Sequence, residues 1–254
     1  MPAEIALDIK ALSEENSVVF VHGGGVEVTE IAKQLGKEQR FIVSPEGFRS
    51  RYTDRETVDI YVMVMAGKLN KQIVTALESK GVKAIGLSGL DGQLIKAERK
   101  KRLIVINERG RRMAIDGGYT GRINAINTDL IQMLMKARYV LVVSPIAIGE
   151  EYEPLNVDGD RTAANIAGAL GADRLILLTD VEGLMADGKV VSNLRLSEAK
   201  QMVPKIGPGM ITKIQAAIEA LEGGVKEVII APGMGQTPLS LAVNHSVGTV
   251  ICSG

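Results

Sequence analysis

The chain has 254 residues, a size that corresponds to one large domain or two closely packed lobes. It carries 30 basic and 30 acidic residues, and this zero net charge argues against nucleic acid as the main partner. The single cysteine, Cys252, excludes an internal disulfide framework and favours a reducing, cytoplasmic location. No apolar run reaches membrane-spanning length, so we expect no membrane partner.

Short apolar runs alternate with helical patterns along most of the chain. The runs lack polar–apolar alternation, which favours strands buried on both faces of a parallel sheet. The predicted strands are 17–21, 83–87, 103–106, 139–143, 175–178, 228–230 and 249–251. The predicted helices are 3–12, 26–35, 56–80, 128–137, 162–170, 197–203, 210–221 and 238–244. This order predicts an α/β fold, an open and mainly parallel sheet with helices on both faces, in three αβα layers.

Two stretches interrupt the alternation. Residues 88–126 are rich in Gly, Lys and Arg and predict a β-hairpin region over the sheet edge. Residues 145–160 predict a loop. Because ligands bind beyond the carboxyl ends of the strands in an open parallel sheet, the segments that follow the strands are the candidates for a site.

The first predicted strand is followed by three glycines, Gly23, Gly24 and Gly25, and then by a helix. The backbone N–H groups of such a turn can approach an anion, and the helix N-terminus adds partial positive charge. A tight turn without a ligand explains the same residues equally well. The glycine patterns of P-loop enzymes and of ordinary dinucleotide-binding dehydrogenases are both absent, which excludes these two classes.

Charged and polar side chains follow several of the strands. Arg49 and Arg51 precede the long helix, where a guanidinium suits a carboxylate clamp or, alternatively, a surface ion pair. Asn156 can donate and accept hydrogen bonds, and Asp160 either caps the next helix or holds a lysine of a phosphate site. Lys213 lies in the first turn of a helix, against the helix dipole, which favours a bound anion over a solvated lysine.

Taken together, these motifs resemble the amino acid kinase family in its N-acetylglutamate kinase branch. The resemblance extends from His22 to the C-terminus. It depends on five blocks in the family's order: HGGG at 22–25, RYTDRETVDIYVMVMAGKLNKQIV at 51–74, PLNVDGDRTAANIAGALGA at 154–172, LLTDVEGL at 177–184 and GPGMITKIQAAIEAL at 207–221.

Within this branch, the chain most resembles the kinases that act on 2-aminoadipate or glutamate attached to an acidic amino-group carrier protein. SPEGFRSRYT at 44–53 and GGYTG at 117–121 carry this finer resemblance. The basic cluster at 98–102 suits an acidic partner, although a solvated hairpin explains it as well. The family also implies a homodimer.

The resemblance implies a role for each motif residue. Asp160 would orient the catalytic lysines, and Lys213 would neutralise charge on the phosphates. The implied substrate-binding residues are Gly24, Gly25, Arg49, Arg51 and Asn156. The residues implied to surround ATP are Thr179, Asp180, Gly183, Leu184 and Met210. With Mg²⁺ and ATP, a side-chain carboxylate would form an acyl phosphate without a general base, because the carboxylate is already ionised at neutral pH.

The chain departs from the family at its beginning. The family starts with a strand that ends in Lys-x-Gly-Gly, whereas only 21 residues precede His22 here and they predict a helix. We therefore expect a substrate lobe at 1–172 without that strand, an ATP-binding lobe at 173–254, one continuous sheet and low activity. A start placed too late, a shortened chain and an impaired homologue are the explanations, and the otherwise intact site favours the first.

Two other functions remain open from the sequence. One is an N-acetylglutamate kinase that acts on a free small molecule, and the other is a catalytically impaired ligand-binding homologue. The missing lysine favours the impaired homologue, whereas Arg49 and the cluster at 99–102 favour the carrier-linked kinase. The sequence does not separate aminoadipate from glutamate, since the two differ by one methylene.

Overall fold

The computed structural model describes residues 1–186, 188–207 and 209–253. Pro208, in the glycine turn of the last family block, lies outside the described residues. The helices are α1 (Ala3–Glu15), α2 (Gly25–Gln34), α3 (Arg55–Val62), α4 (Asn70–Glu78), α5 (Thr128–Lys136), α6 (Gly159–Leu170), α7 (Leu196–Met202), α8 (Met210–Glu222) and α9 (Pro238–Val243). A π-helical segment, Met63–Leu69, joins α3 to α4, and short 3₁₀ turns occupy Asp91–Gln93 and Val203–Lys205.

The strands belong to two main sheets and several smaller ones. They are β1 (Val19–Val21), β2 (Phe41–Val43), β3 (Arg49–Arg51), β4 (Ala84–Ser88), β5 (Ile95–Arg99), β6 (Arg102–Ile106), β7 (Arg112–Asp116), β8 (Gly121–Ile126), β9 (Val140–Ser144), β10 (Ile146–Ile148), β11 (Pro154–Asn156), β12 (Arg174–Thr179), β13 (Met185–Ala186), β14 (Lys189–Val190), β15 (Asn193–Arg195), β16 (Glu227–Pro232) and β17 (Thr249–Cys252). The main sheets have the orders β1-β9-β4 and β12-β16-β17-β15, and a third has the order β11-β10-β5-β8. The pairs β2-β3, β6-β7 and β13-β14 form separate ribbons.

The sheet β1-β9-β4 is parallel and is covered by helices on both faces. Its central strand, β9, is buried along its whole length. Val140 and Val142 pack with apolar residues of α1, α4 and α9, whereas Leu141 and Val143 pack with residues of α5 and α6 on the opposite face. Successive side chains of a strand point to opposite faces, so one continuous apolar run supplies both layers of the core.

The sheet β12-β16-β17-β15 has the same construction with one antiparallel pair, β16 with β17. Leu175 and Leu177 pack against α6 and α8, while Ile229 and Ala231 pack beside α9 on the other face. Parallel pairs therefore dominate both main sheets, and each sheet lies between helices. The predicted three-layer α/β fold is confirmed.

The sequence predicts one continuous sheet, whereas the hydrogen bonds of the described residues define two main sheets. The edge strands β1 and β12 are connected by side chains instead, because Ile176 and Leu178 of β12 pack into the same cluster as Phe20 of β1. The two main sheets are thus joined by side-chain packing, but among the described residues no backbone hydrogen bonds pair β1 with β12. The division into lobes at residues 172 and 173 stays a prediction.

Helix α1 is attached to α9 by a buried carboxylate. Asp8 accepts hydrogen bonds from the backbone N–H groups of Leu239 (2.6 Å) and Ser240 (3.0 Å) and from the Ser240 hydroxyl. These N–H groups lie in the first turn of α9 and have no acceptor within their own helix. Asp8 therefore caps a helix that lies more than 200 residues away in sequence.

Three local predictions differ from the structure. The predicted helix 56–80 is interrupted by the π-helical segment Met63–Leu69, and the loop prediction for 145–160 is wrong, because β10 pairs with β11 there. The predicted strand 103–106 is present, but in the largely exposed ribbon β6-β7. In the described part of the chain, no helix combines the length and the apolar character needed to cross a membrane.

Candidate active site

The glycine turn lies where β1 ends and α2 begins. His22 extends the pairing with β9 through its backbone N–H, which donates to Val143 O (3.1 Å). A Cβ on Gly24 would overlap the side-chain ends of Leu69 and Met65 in the π-helical segment, so any larger residue there would have to displace them. Among the described residues, no hydrogen bond has the N–H of Gly23, Gly24 or Gly25 as its donor. The turn therefore presents free N–H groups at a helix N-terminus, as an anion site requires.

A buried pair of polar side chains supports this turn. His22 Nδ1 lies 3.0 Å from the Gly23 carbonyl oxygen and must donate to it, so Nε2 accepts from Asn70 Nδ2 at 3.4 Å. Asn70 is fully buried and donates also to Val142 O (2.9 Å). Burial lowers the pKa of His22 from its ordinary value, and nearby Lys71 lowers it further. His22 is therefore a neutral supporting group.

Arg51, in the ribbon β2-β3, forms hydrogen bonds with the start of α2. Its Nη2 donates to Gly25 O (2.7 Å) and to Thr29 Oγ1 (2.9 Å), and its Nη1 donates to Gln39 Oε1. Burial lowers the pKa of Arg51 below its usual value. The Nε–H of this guanidinium has no partner among the described residues. Arg51 thus fixes the glycine turn, while its Nε–H and the second N–H of Nη1 make no hydrogen bond among the described residues.

Arg49 lies two residues from Arg51 on the same strand, so both side chains project from the same face of the ribbon β2-β3. Its guanidinium carbon lies 3.9 Å from the centre of the Phe41 ring. Arg49 is exposed, whereas Arg51 is buried. The two arginines therefore occupy different environments, one at the surface and one against the glycine turn.

Asn156 joins three segments that are distant in sequence. Its Nδ2 donates to Thr53 Oγ1 (2.9 Å), and its backbone N–H donates to Tyr119 O (2.8 Å). Tyr119 N–H in turn donates to Thr53 O (2.7 Å). Gly118 has a φ of +59°, and a Cβ there would overlap Thr53 O. Hence the motifs at 44–53, 117–121 and 154–172 meet at one point.

Lys213 and Asp160 form an ion pair between α8 and α6. Lys213 Nζ lies 3.0 Å from Asp160 Oδ1 and 3.2 Å from Oδ2, and the two side chains are 18% and 26% exposed. The suggestion that Asp160 caps α6 is wrong, because Asp158 is the cap and accepts from Arg161 N–H (2.9 Å). Asp160 is therefore free to hold the lysine.

The N-terminus of α6 also adjoins the glycine turn. A Cβ added to Gly159 would lie 3.9 Å from the carbonyl oxygen of His22. Asp160 follows Gly159 directly, so the ion pair lies close to the turn. The N-terminal ends of α2, α6 and α8 thus border one region, and each contributes partial positive charge.

The implied nucleotide residues lie at the carboxyl end of β12 and at the start of α8. Thr179 ends β12, its carbonyl accepts from Gly233 N–H (2.7 Å), and its hydroxyl donates to Asp180 Oδ1 (3.3 Å). Met210 begins α8, three residues before Lys213. This location, beyond a parallel strand end, is typical of ligand sites in open α/β sheets.

Gly183 and Leu184 are attached to β17. Leu184 N–H donates to Thr249 Oγ1 (2.9 Å), and a Cβ on Gly183 would lie only 2.9 Å from the same oxygen. Gly183 also has a φ of +154°, which L side chains rarely adopt. A side chain at position 183 would therefore be strained and crowded, which explains the glycine there.

The basic cluster at 98–102 is partly used inside the protein. Arg99 Nε donates to Gly118 O (2.6 Å), with its guanidinium carbon 4.2 Å from the Tyr119 ring centre, and Glu98 pairs with Arg122 at 2.6 Å. Burial lowers the pKa of Lys100. The cluster is therefore solvated only in part: Arg99 and Lys100 are half-buried, whereas Lys101 and Arg102 are exposed.

Sequence reasoning missed several residues that hold the site in place. Thr29 and Gln39 bind Arg51, and Asn70 binds His22. No local pattern singles them out, since each acts on a residue at least 12 positions away. Thr53 and Asn70 both lie in the family block at 51–74, and membership of that block is the only signal of their importance in the sequence.

Comparisons with known proteins identify the class. The sequence profile of the amino acid kinase family matches residues 3–232. The chain belongs to the amino acid kinase family, as the sequence motifs predict. The Neisseria gonorrhoeae N-acetylglutamate synthase, in complex with coenzyme A and N-acetyl-glutamate, has the same fold, with a TM-score of 0.81, 23% identity, and 99% of this chain and 56% of that chain covered.

Two curated relatives are more similar in sequence. A protein of Cenarchaeum symbiosum (strain A) called a putative [LysW]-aminoadipate/[LysW]-glutamate kinase is 57% identical over 247 residues, with 97% of this chain and 92% of the relative covered. The [LysW]-aminoadipate/[LysW]-glutamate kinase of Saccharolobus solfataricus is 48% identical over 252 residues, with 99% and 94% covered. This chain is thus similar over nearly its whole length to kinases of that kind.

Proposed function

We propose that this protein transfers a phosphoryl group from ATP to the side-chain carboxylate of 2-aminoadipate or glutamate, each attached to an acidic amino-group carrier protein. The observation that carries the proposal is the ion pair of Lys213 and Asp160, located beside the glycine turn that follows β1. The names of the relatives at 57% and 48% identity support the carrier-bound substrate. The reaction belongs to lysine and arginine biosynthesis.

The substrate half of the site consists of the glycine turn, Arg51 and Asn156. The free Nε–H of Arg51 suits the α-carboxylate of the substrate, and Asn156 Oδ1 suits the amide N–H, since Asn156 Nδ2 is bound to Thr53. The free N–H groups of Gly24 and Gly25 suit the phosphoryl group in transfer. Each proposed role therefore uses a donor or acceptor that the protein itself leaves available.

The nucleotide half consists of Lys213 and the residues around β12. ATP supplies the phosphoryl group, and Mg²⁺ neutralises part of its charge. Among the described residues, no group of three or more His, Cys, Asp or Glu side chains has metal-binding geometry. Phosphate oxygens and water are common ligands of Mg²⁺ in kinases, so Mg²⁺ would enter the site bound to the phosphates of ATP.

The chemistry needs positioning and charge more than proton transfer. A carboxylate oxygen forms a bond to the γ-phosphorus while the bond from that phosphorus to the β–γ bridging oxygen breaks, which yields an acyl phosphate and ADP. The carboxylate enters ionised, so no base is required. Lys213 and the N–H groups of the glycine turn stabilise the negative charge of the transition state.

The carrier would dock on the ribbon β6-β7. Arg99 and Lys100, which precede the ribbon, are occupied or partly buried. The basic residues at and beside the ribbon are exposed and have no ion pair among the described residues: Lys101 before β6, and Arg102, Arg109, Arg111 and Arg112 of the ribbon. An acidic carrier would be attracted by this surface, and salt would weaken the attraction.

Charge reversal tests this docking surface. We expect Arg109→Glu combined with Arg111→Glu to raise KM for the carrier-bound substrate several-fold and to leave KM for ATP unchanged. Lys136→Glu, an exposed lysine at the end of α5, serves as the control and should change neither value. Equal effects of the hairpin and control variants would contradict docking on this ribbon.

The function itself is tested by ADP release with three substrates: carrier-bound glutamate, carrier-bound aminoadipate and free N-acetylglutamate. The proposal predicts turnover with at least one carrier-bound substrate and little with the free one. Turnover with free N-acetylglutamate alone would establish the acetylglutamate kinase alternative. Binding without any turnover would establish the impaired homologue.

Two further properties complete the proposal. A homodimer remains a prediction. The long predicted helix 56–80 offers an interface through Tyr61, Met63 and Met65, of which Tyr61 and Met65 are buried and Met63 is exposed. Sedimentation equilibrium tests the assembly directly. A cytoplasmic location remains a prediction from the cysteine content.

A further inference from the structure

Two arginines of β3 lie against the same aromatic ring beside the glycine turn. The guanidinium carbons of Arg49 and Arg51 lie 3.9 Å and 5.0 Å from the centre of the Phe41 ring. In the ribbon β2-β3, Phe41 is paired with Arg51 and Val43 with Arg49, so all four side chains project from one face. This face begins at the glycine turn, where Arg51 binds Gly25 O, and continues outward to the exposed Arg49.

Neither arginine has a carboxylate partner. No ion pair within the described part of the chain includes Arg49 or Arg51, and the hydrogen bonds of the Arg51 side chain go to uncharged oxygens. Burial lowers the pKa of Arg51, and the positive charge of Arg49 lowers it further. Two neighbouring cations without a counterion repel each other, so the pair is best explained by a ligand that supplies negative charge.

The Phe41 ring fixes Arg49 without using its hydrogen-bond donors. A guanidinium is attracted to the face of an aromatic ring, and its N–H groups remain available for a carboxylate. Phe41 and Val43 are 36% and 39% exposed, so a ligand can reach Arg49 and the apolar side chains around it. An arginine that is already held in place loses less conformational entropy when it binds.

The proposed substrate has no carboxylate left for Arg49. Glutamate and 2-aminoadipate each have two carboxylates, of which one is assigned to Arg51 and the other accepts the phosphoryl group. Their nitrogen is part of an amide and carries no charge. A further negative charge must therefore come from the acidic chain to which the substrate is attached. Because the amide and the α-carboxylate are on the same carbon atom, that chain begins beside Arg51, where the face with Phe41 and Arg49 also begins.

We propose that Arg49 binds a carboxylate of the carrier's own chain, next to the attached substrate, and that Phe41 is the positioning residue that holds Arg49 there. This inference rests on the proposed function. It explains how the protein separates carrier-bound glutamate from free N-acetylglutamate, in which only a methyl group follows the amide. Arg51 serves both ligands, whereas Arg49 serves only the carrier-bound one.

Calorimetry tests the role of Arg49 with two forms of carrier-bound glutamate. One has the unmodified carrier, and in the other the carrier's carboxylates next to the attachment point are replaced by amides. We expect Arg49→Gln to weaken binding of the first form about fivefold and to leave binding of the second form unchanged. The matched control is Arg40→Gln, which removes an exposed arginine that lies 5.3 Å from the Tyr52 ring centre and should alter neither affinity.

Two substitutions of Phe41 test its positioning role. Phe41→Leu keeps an apolar side chain without a ring and should weaken binding of the unmodified carrier form about two- to fivefold. Phe41→Tyr keeps the ring and should bind as the unmodified protein does. Because Phe41 and Arg49 are not buried, urea denaturation should show nearly the same midpoint for all these variants.

Several results would overturn the proposal. They are unchanged binding by Arg49→Gln, equal weakening of the two carrier forms, an effect of Arg40→Gln as large as that of Arg49→Gln, and binding by Phe41→Tyr as weak as that by Phe41→Leu. Failure of the unmodified protein to bind carrier-bound glutamate would overturn it as well.

ADP release by the same samples judges the proposed function separately. Binding that depends on Arg49 without any turnover would contradict the kinase activity and leave the contact between Arg49 and the carrier in place. Turnover of carrier-bound glutamate together with binding that ignores Arg49 would contradict only the role of Arg49.

Discussion

The ion pair of Lys213 and Asp160 allows a sharp prediction about catalysis. Asp160→Asn removes the charge that holds Lys213 Nζ at 3.0 and 3.2 Å while keeping the shape of the side chain. A hydrogen bond between charged groups contributes about 1.5–3 kcal/mol, so misplacement of the lysine should lower kcat about 10- to 150-fold. Lys213→Gln removes the charge itself and should lower kcat by about 10²- to 10³-fold.

A double variant shows whether Asp160 acts through Lys213. If it does, Asp160→Asn combined with Lys213→Gln should be no slower than Lys213→Gln alone. Asp173→Asn is the matched control, because Asp173 pairs with Lys226 at 2.5 Å on the exposed surface, where ion pairs contribute little. The assay is ADP release with carrier-bound substrate at saturating ATP. Multiplicative losses in the double variant, or a normal kcat for Asp160→Asn, would refute the reasoning.

Three more predictions concern stability and binding. Asp8→Ala leaves the N–H groups of Leu239 and Ser240 without an acceptor, and urea denaturation should show a loss of about 2–4 kcal/mol; a loss below measurement error would contradict this cap. Folding lowers the pKa of His22 from its unfolded value of 6.5. The stability that depends on neutral His22 is therefore fully present above pH 6.5, and it is lost as the pH falls from 6.5 through the folded-state pKa. His22→Gln should remove that part of the pH dependence, and an unchanged pH profile would argue against it. Arg51→Ala should weaken carrier-bound substrate in calorimetry and leave ATP binding intact, whereas equal losses would contradict its assignment to the substrate.

Most of the fold could be predicted from the sequence because its main strands are buried on both faces and therefore form continuous apolar runs. Val140, Leu141, Val142 and Val143 form one apolar run, and the structure distributes them alternately to two helix layers. The short strands β10 and β11 have no such run. Their pairing depends on antiparallel contacts such as Ala147 with Leu155, which tertiary structure decides.

Those parts of the site that depend on local glycine and charge patterns could be predicted from the sequence. The glycine turn and the unusual place of Lys213 in its helix were visible in the sequence. The choice between Asp158 and Asp160 as helix cap was not, because both residue types are good caps and only the position of Lys213 separates them. Thr120 lies in the GGYTG motif at 117–121, but the sequence does not show that its buried hydroxyl has no hydrogen bond among the described residues.

The central claim is that a side-chain carboxylate on the carrier becomes an acyl phosphate. Hydroxylamine traps acyl phosphates as hydroxamates, so mass spectrometry of the carrier after incubation with MgATP, hydroxylamine and this protein tests the claim directly. The account predicts a hydroxamate on the carrier-bound glutamate or aminoadipate that requires ATP and is diminished by Lys213→Gln. Absence of the hydroxamate from the carrier, with hydroxamate formed on free N-acetylglutamate instead, would contradict it.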